Sequence, residues 1–388
     1  MKNYLRVDEM NDKNRLTWVN NNFISKEFYA PFIIEKDIDY YEDLSQKLKS
    51  FYDRAAEVGA DEESLGIIDK YRKKILEALR SYYRADIAKS NTIILNLIKE
   101  IGDDRLAVTT LNDSLAFPGA HDQELQFFRC RTGNPSNAYA AKDMVHLPKS
   151  LRAKSGNYRF SIPGNPSLYL ANSSYGCWIE TGFPAEIDFN VSPVLLDGSQ
   201  KIFNLAVSIS QFFYLNELES SRVRTWLKLM MLNIATSYRI KECGRTFKSE
   251  YIISQAVMMA CKKLGYDGVA YFSKRVTNEV FAQCAINLAL FVNYKKEYSD
   301  LVRHMKVDDA FNFSVYKNLN ASATHTMYSL RSVNNGLDTN IGSFDRQYAY
   351  RETDFFKFDQ FLFESWRKKP NGKSKDQISW GVPGTENN

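Results

Sequence analysis

The chain of 388 residues is 44% apolar and 25% charged, a composition that supports a large folded core in two or three domains and excludes global disorder. Its 51 Lys and Arg residues against 46 Asp and Glu leave a net charge of +5, too small and too dispersed to indicate a nucleic-acid-binding surface. No stretch has the roughly 18 to 20 apolar residues of a membrane span, and the first twenty residues are unlike a signal peptide, so we expect a cytoplasmic protein without a membrane partner.

The cysteines and histidines do not form a metal-binding or disulfide pattern. The five cysteines are scattered, without a CxxC pair, and are expected to be reduced thiols. The four histidines do not lie at metal-ligand spacing from a cysteine or from each other, so no metal site is predicted. The chemistry is therefore expected to use carboxylate, arginine, tyrosine and serine side chains.

Residues from Tyr40 to about Gly102 have the periodicity of amphipathic helices. Apolar residues recur at spacings of three and four, as at Leu44, Leu48 and Phe51, and predict two or three helices. This region has no chemical motif, and we assign residues 1–120 to a helical N-terminal region.

Residues 121–300 have the alternation and the turn signals of a mixed α and β domain. A short strand is predicted at 168–170, a helix at 173–181 and a second helix at 221–240. Apolar residues on both faces of 283–292 predict a long strand that is buried on both sides.

The C-terminal region of the chain divides into two parts. Residues 301–366 are predicted to pack on the core as an extension, because Phe355, Phe358 and Phe363 belong to a dense aromatic cluster. Residues 367–388 are polar and are predicted to be a flexible tail.

Two arginines stand out in the segment FFRCRTG. Strand geometry places Arg129 and Arg131 on the same face, where two guanidinium groups suit a phosphate or carboxylate ligand. A solvated edge strand with two exposed arginines is the alternative.

The segment RFSIPGNPSLYLANSSYGCWIE has a tyrosine and a glutamate in an unusual setting. A turn leads into a strand on which Tyr169 faces away from its apolar neighbours, so its ring is either presented at a site or packed in the core. Glu180 lies about two turns into the next helix, beside Trp178 and Ile179, as a partly desolvated carboxylate or as a residue on the wet face.

The segments FKSEYIISQ and GYDGVAYFS lie farther along the chain. Ser273 follows Val269 and Tyr271 on one strand face and emerges at the end of the strand, where polar site residues often gather. An ordinary strand-ending hydroxyl is the alternative, and no accompanying histidine supports a serine nucleophile.

Taken together over about residues 126–292, these segments, with MVHLP between the first two, resemble the RES-domain family. The resemblance implies an α+β fold in which a mixed β core similar to that of ADP-ribosyltransferases follows the helical N-terminal region. It identifies Arg129, Tyr169, Glu180 and Ser273 as the catalytic residues, with Arg131 as a competing candidate for the arginine.

The resemblance also implies a set of substrate-binding residues, namely Arg131, Arg159, Gln255 and Tyr271. Arg159 stands where the family has a different turn sequence, and a structural anchor of the turn is the preferred interpretation for it.

The resemblance implies an enzyme that consumes NAD+ as a substrate, requires no cofactor or metal, and uses phosphate or water as acceptor of the ADP-ribosyl group. Such a protein is expected to act as a bacterial toxin or defence effector with an antitoxin or regulatory partner; a homo-oligomer is also compatible with the sequence. Two alternatives stay open, an ADP-ribosyltransferase that modifies a protein and a non-catalytic sensor of NAD or ADP-ribose.

Overall fold

The computed structural model describes most of the chain. The described residues are 16–19, 23–34, 38–117, 125–133, 136, 139–211, 219–240, 245–276, 282, 284–321, 340–343, 346–367, 380–382 and 384–385. Most of the predicted tail, 368–379, 383 and 386–388, lies outside them, as does the predicted domain boundary at 120/121. The described residues of that stretch include Val382 and Thr385, which are buried, and Trp380, whose ring lies 4.5 Å from Nζ of Lys306.

The helical N-terminal region contains three helices, α1 (Tyr40–Glu57), α2 (Glu62–Tyr83) and α3 (Ile87–Ile101), which confirms the prediction from periodicity. Each begins after an aspartate whose side chain accepts a hydrogen bond from a backbone N–H of the first turn. These caps satisfy N–H groups that have no partner within the helix. Local sequence is thus sufficient to start all three helices.

The remaining helices alternate with strands. They are α4 (Ser174–Glu180), α5 (Ser220–Thr236), α6 (Ile252–Lys263), α7 (Phe313–Ala321) and α8 (Asp354–Arg367). The strands are β1 (Phe32–Ile33), β2 (Val108–Thr110), β3 (Leu125–Thr132), β4 (Ser167–Ala171), β5 (Phe189–Leu196), β6 (Lys201–Leu205), β7 (Tyr238–Arg239), β8 (Gly268–Phe272), β9 (Ile286–Phe291), β10 (Met305–Val307), β11 (Phe311–Asn312), β12 (Asn340–Ser343) and β13 (Arg346–Ala349).

The central sheet has the strand order β10-β5-β3-β4-β9-β8-β6-β2, with β11 also paired to β5. Strands β6 and β8 run parallel, whereas the other described neighbours are antiparallel. The sheet is therefore mixed, which together with the helical N-terminal region confirms the predicted α+β class.

Both faces of the sheet are covered. Helices α1–α3, α5 and α6 share one apolar core with Ala289 and Phe291 of β9, whereas Leu288 and Leu290 lie in the core of the opposite face. Strand β9 is consequently buried on both sides, as the sequence predicts. The aromatic side chains of α8 pack with Phe128 of β3 and Val191 of β5, so the predicted aromatic cluster covers this end of the sheet.

One predicted helix is shorter than expected. Helix α5 ends at Thr236, not near Ile240, because the chain turns into strand β7 and pairs in parallel with β1. A partly buried hydrogen bond from the hydroxyl of Tyr238 to Asp43, 2.7 Å long, fixes this turn against α1. A long-range partner thus overrides the helical periodicity at this point.

Among the described residues, no helix has the combination of length and apolar composition that crossing a membrane requires. The described residues also contain no group of three or more His, Cys, Asp and Glu side chains placed to hold a metal ion.

Candidate active site

The paired arginines lie on the central strand β3. As the strand period requires, Arg129 and Arg131 share a face, and both line a cavity of about 750 Å³. Nη1 of Arg129 donates to the backbone carbonyl of Tyr169 at 2.7 Å, and Nε of Arg131 donates to the carbonyl of Asp143 at 2.6 Å. Burial, and next the charge of Arg131, lower the pKa of Arg129. The solvated edge strand is thereby excluded, because β3 is flanked by β5 and β4.

Tyr169 lies on β4 with its hydroxyl held by the preceding turn. The hydroxyl accepts from the backbone N–H of Phe160 at 3.1 Å and lies 2.7 Å from Oγ of Ser161. Burial raises the pKa of Tyr169 above its ordinary value, so the phenol is neutral near pH 7. With its hydroxyl engaged, the tyrosine contributes its ring to the cavity wall, next to the ring of Tyr158 at a centroid distance of 6.0 Å.

Glu180 is the last residue of α4, a short helix that Ser173 caps through its side chain. Its Oε1 accepts from Oγ of Ser273 at 2.5 Å and from Nδ2 of Asn287 at 2.6 Å. Its Oε2 lies 3.8 Å from Nε of Arg275, and the side chain is 33% exposed. The carboxylate therefore has one oxygen fixed by neutral donors and the other close to a single guanidinium, within the cavity wall.

Ser273 and Asn287 support Glu180 from two neighbouring strands. Ser273 follows β8 and is 1% exposed. It does not line the cavity, so its hydroxyl contacts the carboxylate from within the protein interior. Asn287 lies on β9 opposite Ala171, the last residue of β4 before α4. Sheet pairing thus places both donors beneath the end of α4.

The remaining predicted residues have different placements. Arg159 donates to the carbonyls of Thr236 and Tyr238 at 2.5 and 2.7 Å, the contacts of a structural anchor, although it also lines the cavity. The amide of Gln255 donates to Asn157 and to the carbonyls of the turn at 158–161, and it lies outside the lining. Tyr271 is buried in the cavity wall.

The lining of the cavity is strongly basic. Among the described residues that form it, eight are basic and one, Glu180, is acidic. The basic residues are Arg129, Arg131, Lys154, Arg159, Arg239, Lys248, Lys274 and Arg275. A cavity with such walls attracts an anionic ligand and sets a single carboxylate against it.

Sequence reasoning missed several residues of this site. Asn287 has a recognisable signal, since a polar residue inside a strand buried on both faces must find a partner. Arg275 and Lys274 directly follow the predicted Ser273. Lys248 belongs to the segment FKSEYIISQ, whereas Arg239 has no such signal, because it enters the wall from the short strand β7.

The arrangement suits a reaction in which positive charge develops on an anionic substrate. A fixed carboxylate stabilises such charge, the basic wall binds the anionic part, and the aromatic rings can stack on a planar group.

The chain is similar to one protein family, to a named bacterial protein and to a chain of a solved structure. The RES domain family profile matches residues 126–314. A Bacillus subtilis (strain 168) protein named "Putative toxin YopC" is 32% identical over 182 residues, which cover 44% of this chain and 40% of that protein. The chain thus aligns with less than half the length of this relative. The crystal structure of the M. tuberculosis MbcT-MbcA toxin-antitoxin complex contains a chain that is 14% identical with a TM-score of 0.30, covering 59% of this chain and 97% of that one.

Proposed function

Since residues 126–314 form a RES domain, we propose that this chain cleaves the nicotinamide–ribose bond of NAD+, with phosphate or water as acceptor. The observation that carries the proposal is the carboxylate of Glu180, held by Ser273 and Asn287 in the wall of a basic cavity. NAD+ combines the features that such a cavity would bind, an anionic pyrophosphate, two flat rings and a ribose carbon that becomes cationic.

The proposed reaction breaks the bond from ribose C1′ to the nicotinamide nitrogen, whose electron pair leaves with nicotinamide. The ribose carbon and ring oxygen acquire positive charge, and Glu180 stabilises this charge more than it stabilises the ground state. An oxygen of phosphate or water then bonds to C1′, and with water a proton is released. Neutral donors on Oε1 of Glu180 keep the other oxygen directed to the cavity.

The remaining residues bind and orient the substrate in this proposal. Arg129 and Arg131 bind the pyrophosphate from one strand face, and Tyr169 stacks on the nicotinamide ring. Ser273 acts through Glu180 and is a positioning residue. Gln255 and Arg159 hold the turn that fixes the hydroxyl of Tyr169.

We further propose that the protein is a toxin, which is supported by the name of its Bacillus subtilis relative. An enzyme that destroys NAD+ would deplete the cell that makes it, so we propose a restraining antitoxin or regulatory partner.

The test is NAD+ consumption by the purified full chain, with product masses determined with and without phosphate. We expect free nicotinamide, and Glu180→Gln should lower its rate by at least about 100-fold. Glu57→Gln is the matched control, because its side chain is 67% exposed on α1. Release of nicotinamide by Glu180→Gln at the unaltered rate would contradict the assignment.

The same assay, repeated with cell lysate added, separates the alternatives. ADP-ribose attached to lysate proteins, with no ADP-ribose or its phosphate in solution, would support a protein-modifying transferase. Tight NAD+ binding with no product under either condition would support a sensor and contradict the enzyme.

A further inference from the structure

The cavity has a second group of residues apart from those around Glu180. We call Lys154, Tyr158, Arg239, Lys248 and Tyr251 the distal cluster; all five line the cavity. Lys248 contacts Asn157 of the turn that precedes β4, as well as the ring of Tyr251, and Arg239 pairs with β1. Glu180 instead contacts Ser273 after β8 and Asn287 of β9.

Tyr169 lies between the two groups. Its ring contacts Tyr158 of the distal cluster, and two residues farther along β4 Ala171 pairs with Asn287, a donor to Glu180. An elongated ligand that crosses Tyr169 would therefore touch both groups.

The distal cluster is built from rings and cations. Nζ of Lys248 lies 5.6 Å from the ring centroid of Tyr251 and donates to the carbonyl of Asn157 at 3.4 Å. Tyr158 is 55% exposed and its ring lies against Gly156, where an added Cβ would come within 2.9 Å of it. The absence of a side chain at 156 thus leaves space for the ring at the mouth of the cavity.

The charges of this cluster have no acidic partner in the part of the chain that the structure describes. Lys154, Arg239 and Lys248 have no carboxylate at ion-pair distance there, whereas most basic residues of the N-terminal helices do. Arg129 and Arg131 already supply two guanidinium groups for a pyrophosphate. Three further cations in the lining exceed what the pyrophosphate of NAD+ requires.

We propose that the distal cluster binds a third phosphate group, the 2′-phosphate of NADP+, and that the chain prefers NADP+ to NAD+. This inference rests on the proposed cleavage reaction and names its substrate. A phosphate monoester carries about 1.5 to 2 negative charges near pH 7, a suitable counterpart for unpaired Arg and Lys side chains. Tyr158, which is 55% exposed, supplies a face on which the adjoining adenine can stack.

The first experiment compares kcat/KM for NADP+ and NAD+ with the purified full chain. We expect NADP+ to be favoured by at least about tenfold, and Arg239→Gln and Lys248→Gln each to lower the NADP+/NAD+ ratio by about tenfold, the loss of one hydrogen bond to a charged group. Lys263→Gln, an exposed residue of α6 outside the cavity, is the control and should leave the ratio unchanged. Equal use of the two dinucleotides, or an unchanged ratio in both variants, would overturn the proposal.

A second source of the same chemistry is free inorganic phosphate acting as acceptor. If the distal cluster bound inorganic phosphate, added phosphate would accelerate NAD+ cleavage and Lys248→Gln would remove that acceleration. NADP+ would then have no advantage over NAD+, and this result would overturn the proposal.

Equilibrium binding to Glu180→Gln separates this inference from the proposed function. Should the unaltered chain cleave neither dinucleotide, the cleavage proposal fails, yet tighter binding of NADP+ than of NAD+ would still support the distal cluster. Equal affinities would overturn it whatever the activity.

Discussion

Basic side chains lie beside carboxylates in the helical N-terminal region, whereas in the wall of the central cavity they far outnumber them. On α1 and α2, basic side chains lie beside carboxylates one turn away, as in Lys49–Asp53 at 2.7 Å and Arg54–Glu57 at 2.6 Å. In the cavity, eight basic residues face one carboxylate. Both regions belong to the same chain with a net charge of only +5, so the excess is local.

The difference distinguishes surface charges that need no partner molecule from cavity charges that are placed to bind a ligand. Paired charges on solvated helices add little energy and need no partner molecule. Uncompensated charge in a concave wall is unfavourable until an anion enters it. The following predictions test this contrast.

The largest effect on folding is expected in the helical region. Ile75 of α2 is fully buried in the core shared with α5 and α6, and Ile75→Ala should lower the free energy of unfolding by about 2–5 kcal/mol. Chemical denaturation measures the loss, and NAD(P)+ cleavage by the folded fraction should stay unchanged. A specific loss of activity in fully folded protein would show that the helices contribute directly to the site.

Ser273→Ala should produce the next effect, and it should fall on catalysis. Removing the donor to Oε1 of Glu180 leaves only Asn287 to fix that oxygen, so kcat should fall by about ten- to a hundredfold with a smaller change in KM. Ser273→Thr, which keeps the hydroxyl, should recover part of kcat. An equal loss in both variants would indicate a packing role only.

A pH effect is expected where α8 meets α4. Burial raises the pKa of Asp359 from 3.8 to about 7, although its carboxylate accepts from the backbone N–H of Ser174 at 3.0 Å and from the hydroxyl of Tyr350. Between these pH values the folded chain binds the proton and the unfolded chain does not. Its contribution to stability is therefore full below about pH 4 and is lost as pH rises through 7, by at most about 1.4 kcal/mol per pH unit.

Thermal unfolding of the full chain at pH 5, 6 and 7 measures this slope. Asp359→Asn should flatten it, whereas Asp354→Asn, an exposed residue of the same helix, should preserve it. An identical slope in both variants would assign the pH dependence to other groups.

The smallest effect is expected from a paired surface charge. Glu57→Gln removes the ion pair with Arg54, in which the side chain of Glu57 is 67% exposed. The change in the free energy of unfolding should be less than about 0.5 kcal/mol. A loss above 2 kcal/mol in denaturation experiments would contradict the view that these pairs are energetically minor.

Local patterns were sufficient for much of the fold. The spacing of Leu44, Leu48 and Phe51 indicated α1, the alternation around Tyr169 indicated β4, and a helix after Ser173 was correctly predicted. The end of α5 was misplaced because Tyr238 is held by β1 and Asp43, neither of which is near it in sequence.

In the candidate site, too, local patterns predicted some features and long-range contacts determined the others. The period of β3 placed Arg129 and Arg131 on one face, yet nothing in their segment indicated which carbonyls they bind. Asn287 joins Glu180 only because β9 pairs with β4, and Gln255 lies behind the turn because α6 packs there.

The sequence by itself therefore determined many of the elements, the resemblance to a family and the residue types of the site, since these depend on periodicity and on short segments. Tertiary structure alone decided which oxygen of Glu180 is held, which arginine anchors a turn, and where unpaired cations gather. Those properties depend on contacts between residues 40 to 107 positions apart, which sheet pairing and packing bring together.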